Sequence, residues 1–208
     1  MLSIKDKILK LVRAHGRGSR VYTPKDFLSM GSRAAVDQGL TRLVKDGVLR
    51  RVGRGLYDWP RHSDVLDGPA PTNLNAVVDA LKRRFDIDVV PSNLAAANAM
   101  GLTHAVPTRV EYLTTRKVRD VKVGSRKVRL VPAGTALAPW LNTPAAPVVQ
   151  ALFWLHDHHH QIDDDAIVSI RKKASPDARR VLDRDMHSLP GWAIPHARHI
   201  VENRATGV

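Results

Sequence analysis

The stretch from Ser19 to Pro60 leaves this chain fewer possible folds than any other part of it. Thr23-Pro24-Lys25-Asp26 is a helix start, with Thr23 as N-cap, Pro24 at the first helical position and Asp26 closing a capping box. The short helix it opens is predicted to end at Met30-Gly31, where glycine tolerates the left-handed conformation that terminates helices. Ser32 then caps a second helix running to about Lys45. Its apolar residues Val36, Leu40, Leu43 and Val44 fall on one stripe at helical spacing. The other face carries Ser32, Arg33, Asp37, Gln38, Thr41 and Arg42. Asp46-Gly47 stops the helix, and Val48 to Val52 begins a strand. Gly53-Arg54-Gly55 makes a turn, and Leu56 to Trp59 returns as the second strand before Pro60. Helix, turn, helix and hairpin in that order predict a winged helix-turn-helix.

The flanking segments complete that unit. Ser3 to Ala14 reads as a first helix, with a Ser3/Asp6 capping box and a stripe of Ile4, Ile8, Leu11 and Val12. Val21-Tyr22 is a short extended piece placed to pair with the hairpin. Residues 1–60 are therefore expected to close around one small core. Residues 61–71 hold turn formers without an apolar period and read as a linker.

Residues 72–208 read as a second, α+β domain with a helical C-terminal part. Its expected elements are a helix to about Arg84, a strand at Ile87 to Val90, and a helix from Leu94 to Met100. Strands follow at Val110–Thr114, Val118–Val123 and Lys127–Pro132, with alternation that suits a partly exposed antiparallel sheet. The last helices are expected at Pro144–His156, Asp163–Lys173, Asp177–Met186 and His196–Asn203.

Charge narrows the class of partner. The chain has 33 Lys and Arg against 20 Asp and Glu, a formal charge of +13. An excess of that size favours a polyanion, because each phosphate contact releases condensed counterions. A membrane surface is the competing polyanion, but there is no run of about eighteen apolar residues. The start, Met1-Leu2-Ser3-Ile4-Lys5-Asp6, is not a signal peptide. Cysteine is absent, which excludes disulfides, thiolate catalysis and cysteine-ligated zinc. Sparse aromatics, 5%, disfavour a single-strand binder that works by base stacking. The expectation is a soluble cytoplasmic protein that binds double-stranded DNA.

Within the winged helix, Ser32, Arg33, Gln38, Thr41 and Arg42 are the candidates for the major groove, where arginine and glutamine read guanine and adenine edges. Arg50, Arg51 and Arg54 flank the wing turn and are expected against phosphate or the adjacent minor groove. A second basic patch comprises Arg116, Lys117, Arg119, Lys122, Arg126, Lys127 and Arg129, interleaved with valines. It suits flanking DNA, RNA or an acidic protein, and equally a solvated strand face.

His156, His158, His159 and His160 invite a metal reading. However, consecutive residues point in different directions and no second pair stands at zinc-like spacing. They are expected at a helix end, with Asp163 to Asp165 complementing the next helix start. No Ser/His/Asp arrangement, phosphate-binding loop or catalytic carboxylate pair is present in the sequence. The chain is expected to be a binding protein without cofactor or metal.

Three segments carry a resemblance: Tyr22 to Phe27, Arg33 to Leu43, and Gly47 to Tyr57. Here the chain resembles the antitoxins of AbiEi-type abortive-infection toxin–antitoxin systems, including shorter relatives carrying the DUF6088 label. Pro91-Ser92-Asn93 through Gly101-Leu102, then Thr108 and Tyr112-Leu113-Thr114, are similar to the central part of these proteins. After about Asn142 no motif matches. The resemblance implies an N-terminal winged helix that represses its own operon at promoter inverted repeats, with two copies per operator. It further implies a C-terminal domain that counters a nucleotidyltransferase-type toxin. The alternative is a stand-alone regulator that senses a ligand or protein through residues 72–208. An RNA-binding role for Arg116 to Arg129 stands third.

Overall fold

The computed structural model describes residues 2–105, 109–158 and 162–202. The protein is mixed α+β, with N-terminal helices, sheets in the middle and helices at the C-terminal end. In chain order the elements are α1 (Ile4–His15), β1 (Val21–Tyr22), a 3-10 helix (Pro24–Met30), α2 (Arg33–Lys45), β2 (Arg50–Gly53) and β3 (Leu56–Asp58). Next come β4 (His62–Ser63), β5 (Gly68–Pro69), α3 (Leu74–Phe85), β6 (Val89–Pro91), α4 (Asn93–Ala99) and β7 (Val110–Thr114). Strands β8 (Val121–Val123) and β9 (Arg126–Pro132) precede α5 (Ala146–Asp157), α6 (Asp164–Lys173), α7 (Pro176–Arg184) and α8 (Ala193–Val201). Thr108, His159, His160 and Asn203, which figure in the sequence reading, lie outside the described residues.

Two compact units form. The first is Met1–Ile87 with Asp120–Val128, the second Asp88–Arg119 with Arg129–Val208. The division falls elsewhere than at the composition break around residues 61–71. That segment is a small hairpin of unit 1, with His62 opposite Pro69 and Ser63 opposite Gly68. The Ala70 N–H closes it on the Arg61 carbonyl at 2.9 Å. Helix α3, expected to open the second domain, also belongs to unit 1.

The core of unit 1 joins Ile8 and Val12 of α1, Phe27, and Val36, Leu40 and Leu43 of α2 to Tyr22, Leu49 and Tyr57. Helices α1 and α2 approach closely because Gly39 is buried between them: a Cβ there would stand 3.1 Å from Ile8 Cδ1. Gly31 serves the same end. It is extended, with φ 168°, not left-handed, and a Cβ on it would lie 2.7 Å from Ile4 Cδ1. The helix ends at Met30 as expected, but the glycine there answers a packing demand and does not take the left-handed conformation. The expected short helix forms at Pro24–Met30 and winds as a 3-10 helix.

The Ser32 hydroxyl accepts from the Ala35 N–H at 3.3 Å and so caps α2. At the far end Gly47 takes φ +70°, and the N–H groups of Val48 and Leu49 both reach the Leu43 carbonyl at 3.0 Å. Strand β3 is central in a three-stranded sheet of order β1-β3-β2. Its register puts Tyr57 opposite Tyr22 on one side and Arg51 on the other.

In unit 2, α5 is buried along nearly its whole length, Val148, Val149, Ala151 and Leu152 being at most 1% exposed. A helix apolar all round is a core helix, and Trp140, Ile170, Leu182 and Ile200 pack with it. Strand β6 pairs antiparallel with β7, Val89 opposite Thr114 and Pro91 opposite Tyr112. Gln150, 2% exposed, donates from Nε2 to the Pro91 carbonyl at 2.7 Å, which satisfies its amide inside the core. Asp163 caps α6 by accepting from the Ala166 N–H at 2.8 Å. Among the described residues no helix is long and apolar enough to cross a membrane.

Candidate nucleic-acid interface

Amphipathic helix α2 presents its charged side to solvent. Val36, Gly39, Leu40 and Leu43 face the core, while Ser32, Arg33, Gln38, Thr41, Arg42 and Lys45 are exposed. The five positions singled out from sequence thus share the open face, and Lys45 joins them. Asp37 is the acid on this helix, and Arg33 Nε holds it at 2.8 Å across one turn. That pair is 65% and 46% exposed, so it is weak and free to exchange for a stronger anion. The Thr41 hydroxyl donates back to the Asp37 carbonyl at 2.8 Å. Its lone pairs remain to accept a bond, so it presents an acceptor outward.

The hairpin β2–β3 carries the three arginines predicted for the wing, and they divide. Arg51 and Arg54 are exposed. Arg50 is not available. Its Nε and NH2 grip both oxygens of Asp58 on the opposite strand at 3.0 and 2.7 Å. NH2 also reaches the Ala70 carbonyl at 3.0 Å and the Thr72 hydroxyl at 3.1 Å. Asp58 is 5% exposed at its side chain, and a carboxylate so placed requires a cation and donors. The sequence reading of Arg50 as a phosphate contact is corrected accordingly: it neutralises Asp58 and anchors the segment after β5.

Helix α3 is fastened to this arrangement by consecutive arginines. Arg83 Nε donates to Asp26 at 2.9 Å and its NH2 to the Val21 carbonyl at 2.8 Å. Lys25 Nζ donates in return to the Arg83 carbonyl at 2.7 Å. Asp26 also accepts from the Thr23 N–H at 2.7 Å and hydroxyl at 3.0 Å, and from Arg20 at 3.2 Å. Burial alone would raise the Asp26 pKa, but the Thr23 N–H and the Arg83 guanidinium outweigh it and hold the carboxyl below its usual range. Arg84 turns the other way and donates from NH1 to the Arg54 carbonyl at 2.7 Å, in the turn of the hairpin. Gly55, with φ +68°, lets the guanidinium in, since a Cβ there would sit 3.3 Å from NH1. The Arg84 pKa is lowered by burial and then by the nearby guanidiniums of Arg33 and Arg54. Sequence reasoning did not single out Arg84, which lies some thirty positions past the hairpin turn in a helix expected to belong elsewhere.

The second basic patch divides between the units. Lys122, Arg126 and Lys127 belong to unit 1, Arg116, Lys117, Arg119 and Arg129 to unit 2. The strand expected from Val118 begins only at Val121. Lys122 and Lys127 stand opposite each other in the β8–β9 pairing, where like charges repel, and Asp120 relieves this by pairing with Lys127 at 2.9 Å. Arg129 pairs with Glu111 at 3.2 Å. The β8–β9 turn docks on β2 through a bond from the Gly124 N–H to the Val52 carbonyl at 2.9 Å. Gly53 makes the approach possible, as a Cβ would lie 2.5 Å from the Lys122 carbonyl oxygen. A cleft of about 330 Å³ opens beside this junction and brings Arg126 and Ser125 to the same wall system as Arg51 and Thr72.

His156 and His158, near the end of α5, are engaged with aromatic rings. His156 stacks on Trp192 with centroids 3.9 Å apart, and His158 stacks on Trp154 while its Nδ1 lies 2.9 Å from the Trp154 carbonyl. Among the described residues no three His, Asp or Glu side chains are grouped to hold a metal ion. No curated protein matches the chain. Residues 7–176, most of its length, match the DUF6088 family, a family of unknown function, and the chain belongs to that family.

Proposed function

We propose that this protein is a sequence-specific binder of double-stranded DNA, built as a winged helix-turn-helix, and that it represses transcription. The observation that carries the reading is the open face of α2, where Ser32, Arg33, Gln38, Thr41, Arg42 and Lys45 stand exposed around one paired acid. Exposed arginines of the hairpin lie at Arg51 and Arg54. Arg42 and Gln38 are the side chains to read base edges, while Arg54 takes a backbone phosphate. The order α1, β1, helical turn, α2, β2, β3, with β1 paired to β3, supports the winged-helix reading. The net charge of +13 supplies the long-range attraction to DNA.

The resemblance to AbiEi-type antitoxins extends the proposal. The DNA is then the promoter of the protein's own operon, bound at inverted repeats by two copies. Unit 2 counters a nucleotidyltransferase-type toxin, and the protein works in the cytoplasm without catalytic activity of its own. Expression of the neighbouring nucleotidyltransferase-like gene should arrest growth, and coexpression of this chain should restore it. Growth arrest that persists with the chain expressed would remove the antitoxin half and leave the stand-alone regulator.

Three variants test the docking. Arg42→Ala or Gln38→Ala should cost about 1–3 kcal/mol on the specific site and much less on random duplex, relaxing base preference at one position. Arg54→Ala should weaken binding to all sequences and reduce the salt slope by about one. An equal loss for all three on specific and random DNA would contradict the assignment of α2 as the reading helix.

A further inference from the structure

The geometry points to a phosphate-binding site at the β2–β3 turn of unit 1, formed by Arg54 and Arg84, with Arg84 supplied from outside the helix-turn-helix and hairpin. The inference rests on the DNA-binding reading and names the residue that completes its grip on the backbone. Arg84 occupies the end of α3, and the bonds of its neighbour Arg83 to Asp26 and to the Val21 carbonyl fix that end in place. Its own NH1 is seated on the Arg54 carbonyl at 2.7 Å, and its guanidinium lies over the Phe85 ring at 5.0 Å. The side chain is therefore held before any ligand arrives, which reduces the entropy lost on binding.

The electrostatics of the place call for an anion. The charged groups that act on Arg84 most strongly are the guanidiniums of Arg33 and Arg54. Arg84, seated on the backbone of the exposed Arg54, adds a second cation at the hairpin turn. A phosphodiester at the hairpin turn answers that charge, and planar guanidinium groups match its oxygens in pairs. Arg54 lies in the turn of the hairpin, which the proposed docking sets against the backbone, so the DNA backbone is the polyanion whose path crosses this point.

The test compares the full-length wild type with Arg84→Gln and Arg84→Lys, by fluorescence anisotropy on a labelled duplex of the upstream region over a series of salt concentrations. Glutamine keeps a donor for the Arg54 carbonyl and removes the charge. Lysine keeps the charge. The expected result is a loss of about five- to tenfold for Arg84→Gln at moderate salt, with the log–log salt slope reduced by about one. Arg84→Lys should stay within about threefold with the wild-type slope. Unchanged thermal melting of both variants would accompany that result. Wild-type affinity and slope for Arg84→Gln would overturn this site and leave the DNA-binding reading standing. Equal loss for both variants with an unchanged slope would show Arg84 to be only a brace for the hairpin turn. Failure of the wild type to bind any duplex would overturn both.

Discussion

Asp26→Asn is expected to destabilise unit 1 by about 3 kcal/mol at neutral pH, measured by chemical denaturation. The carboxylate is 8% exposed and sits between Arg20 and Arg83, while two donors of Thr23 also end on it. Asparagine keeps one acceptor oxygen, turns an NH2 toward the arginines and leaves both cations without their counterion. The loss should depend on pH in a definite direction. The folded-state pKa of Asp26 is depressed, so its contribution is fully present above the unfolded carboxylate value of about 3.9 and fades as pH falls through the lower folded value. The gap between wild type and Asp26→Asn should therefore narrow in acid below about pH 4. A gap that stays constant down to about pH 3 would show that the carboxylate charge is not what holds α3 and the 3-10 helix together.

Arg50→Ala should cost a similar amount, about 3 kcal/mol, because it strands the Asp58 carboxylate inside the β2–β3 pairing with, among the described residues, the Thr72 hydroxyl at 3.1 Å as the donor left to it. Removing both partners should cost less than the sum of the single changes, since the double variant has no buried charge to leave uncompensated. Denaturation of the two single variants and of Arg50→Ala/Asp58→Ala measures this coupling. Unchanged stability in Arg50→Ala, together with weakened DNA binding, would return Arg50 to the phosphate-contacting set.

What could be read from the sequence was local. The caps at Ser3, Ser32 and Asp163, the stripe of Val36, Leu40 and Leu43, and the strand at Val110–Thr114 all involve residues a few positions apart, and each left a periodic or capping signal. The open face of α2 followed from the same periodicity. The misreadings were long-range. Gly31 does end the 3-10 helix, but the approach of Ile4 from another helix, not a left-handed turn, accounts for the glycine. Residues 61–71 are rich in turn formers, but hydrogen bonds from Arg50 to Ala70 and Thr72 tie the segment down. Arg84 meets the hairpin turn across thirty positions, and Lys122 to Lys127 reach β2 across about seventy. Such contacts depend on how elements pack, and a basic residue in an amphipathic helix looks the same whether it faces solvent or a distant turn. Arg50 was misassigned for the same reason: its charge was visible, while its partner Asp58 across the strands required the register.

The most direct test of the account is a titration of the full-length protein against its own upstream duplex and a scrambled duplex of equal length, at two salt concentrations. A preference of about a thousandfold or more for the upstream sequence is expected, with both affinities falling as salt rises. Equal affinity for the two duplexes would contradict it, reducing the basic face of unit 1 to a non-specific polyanion surface.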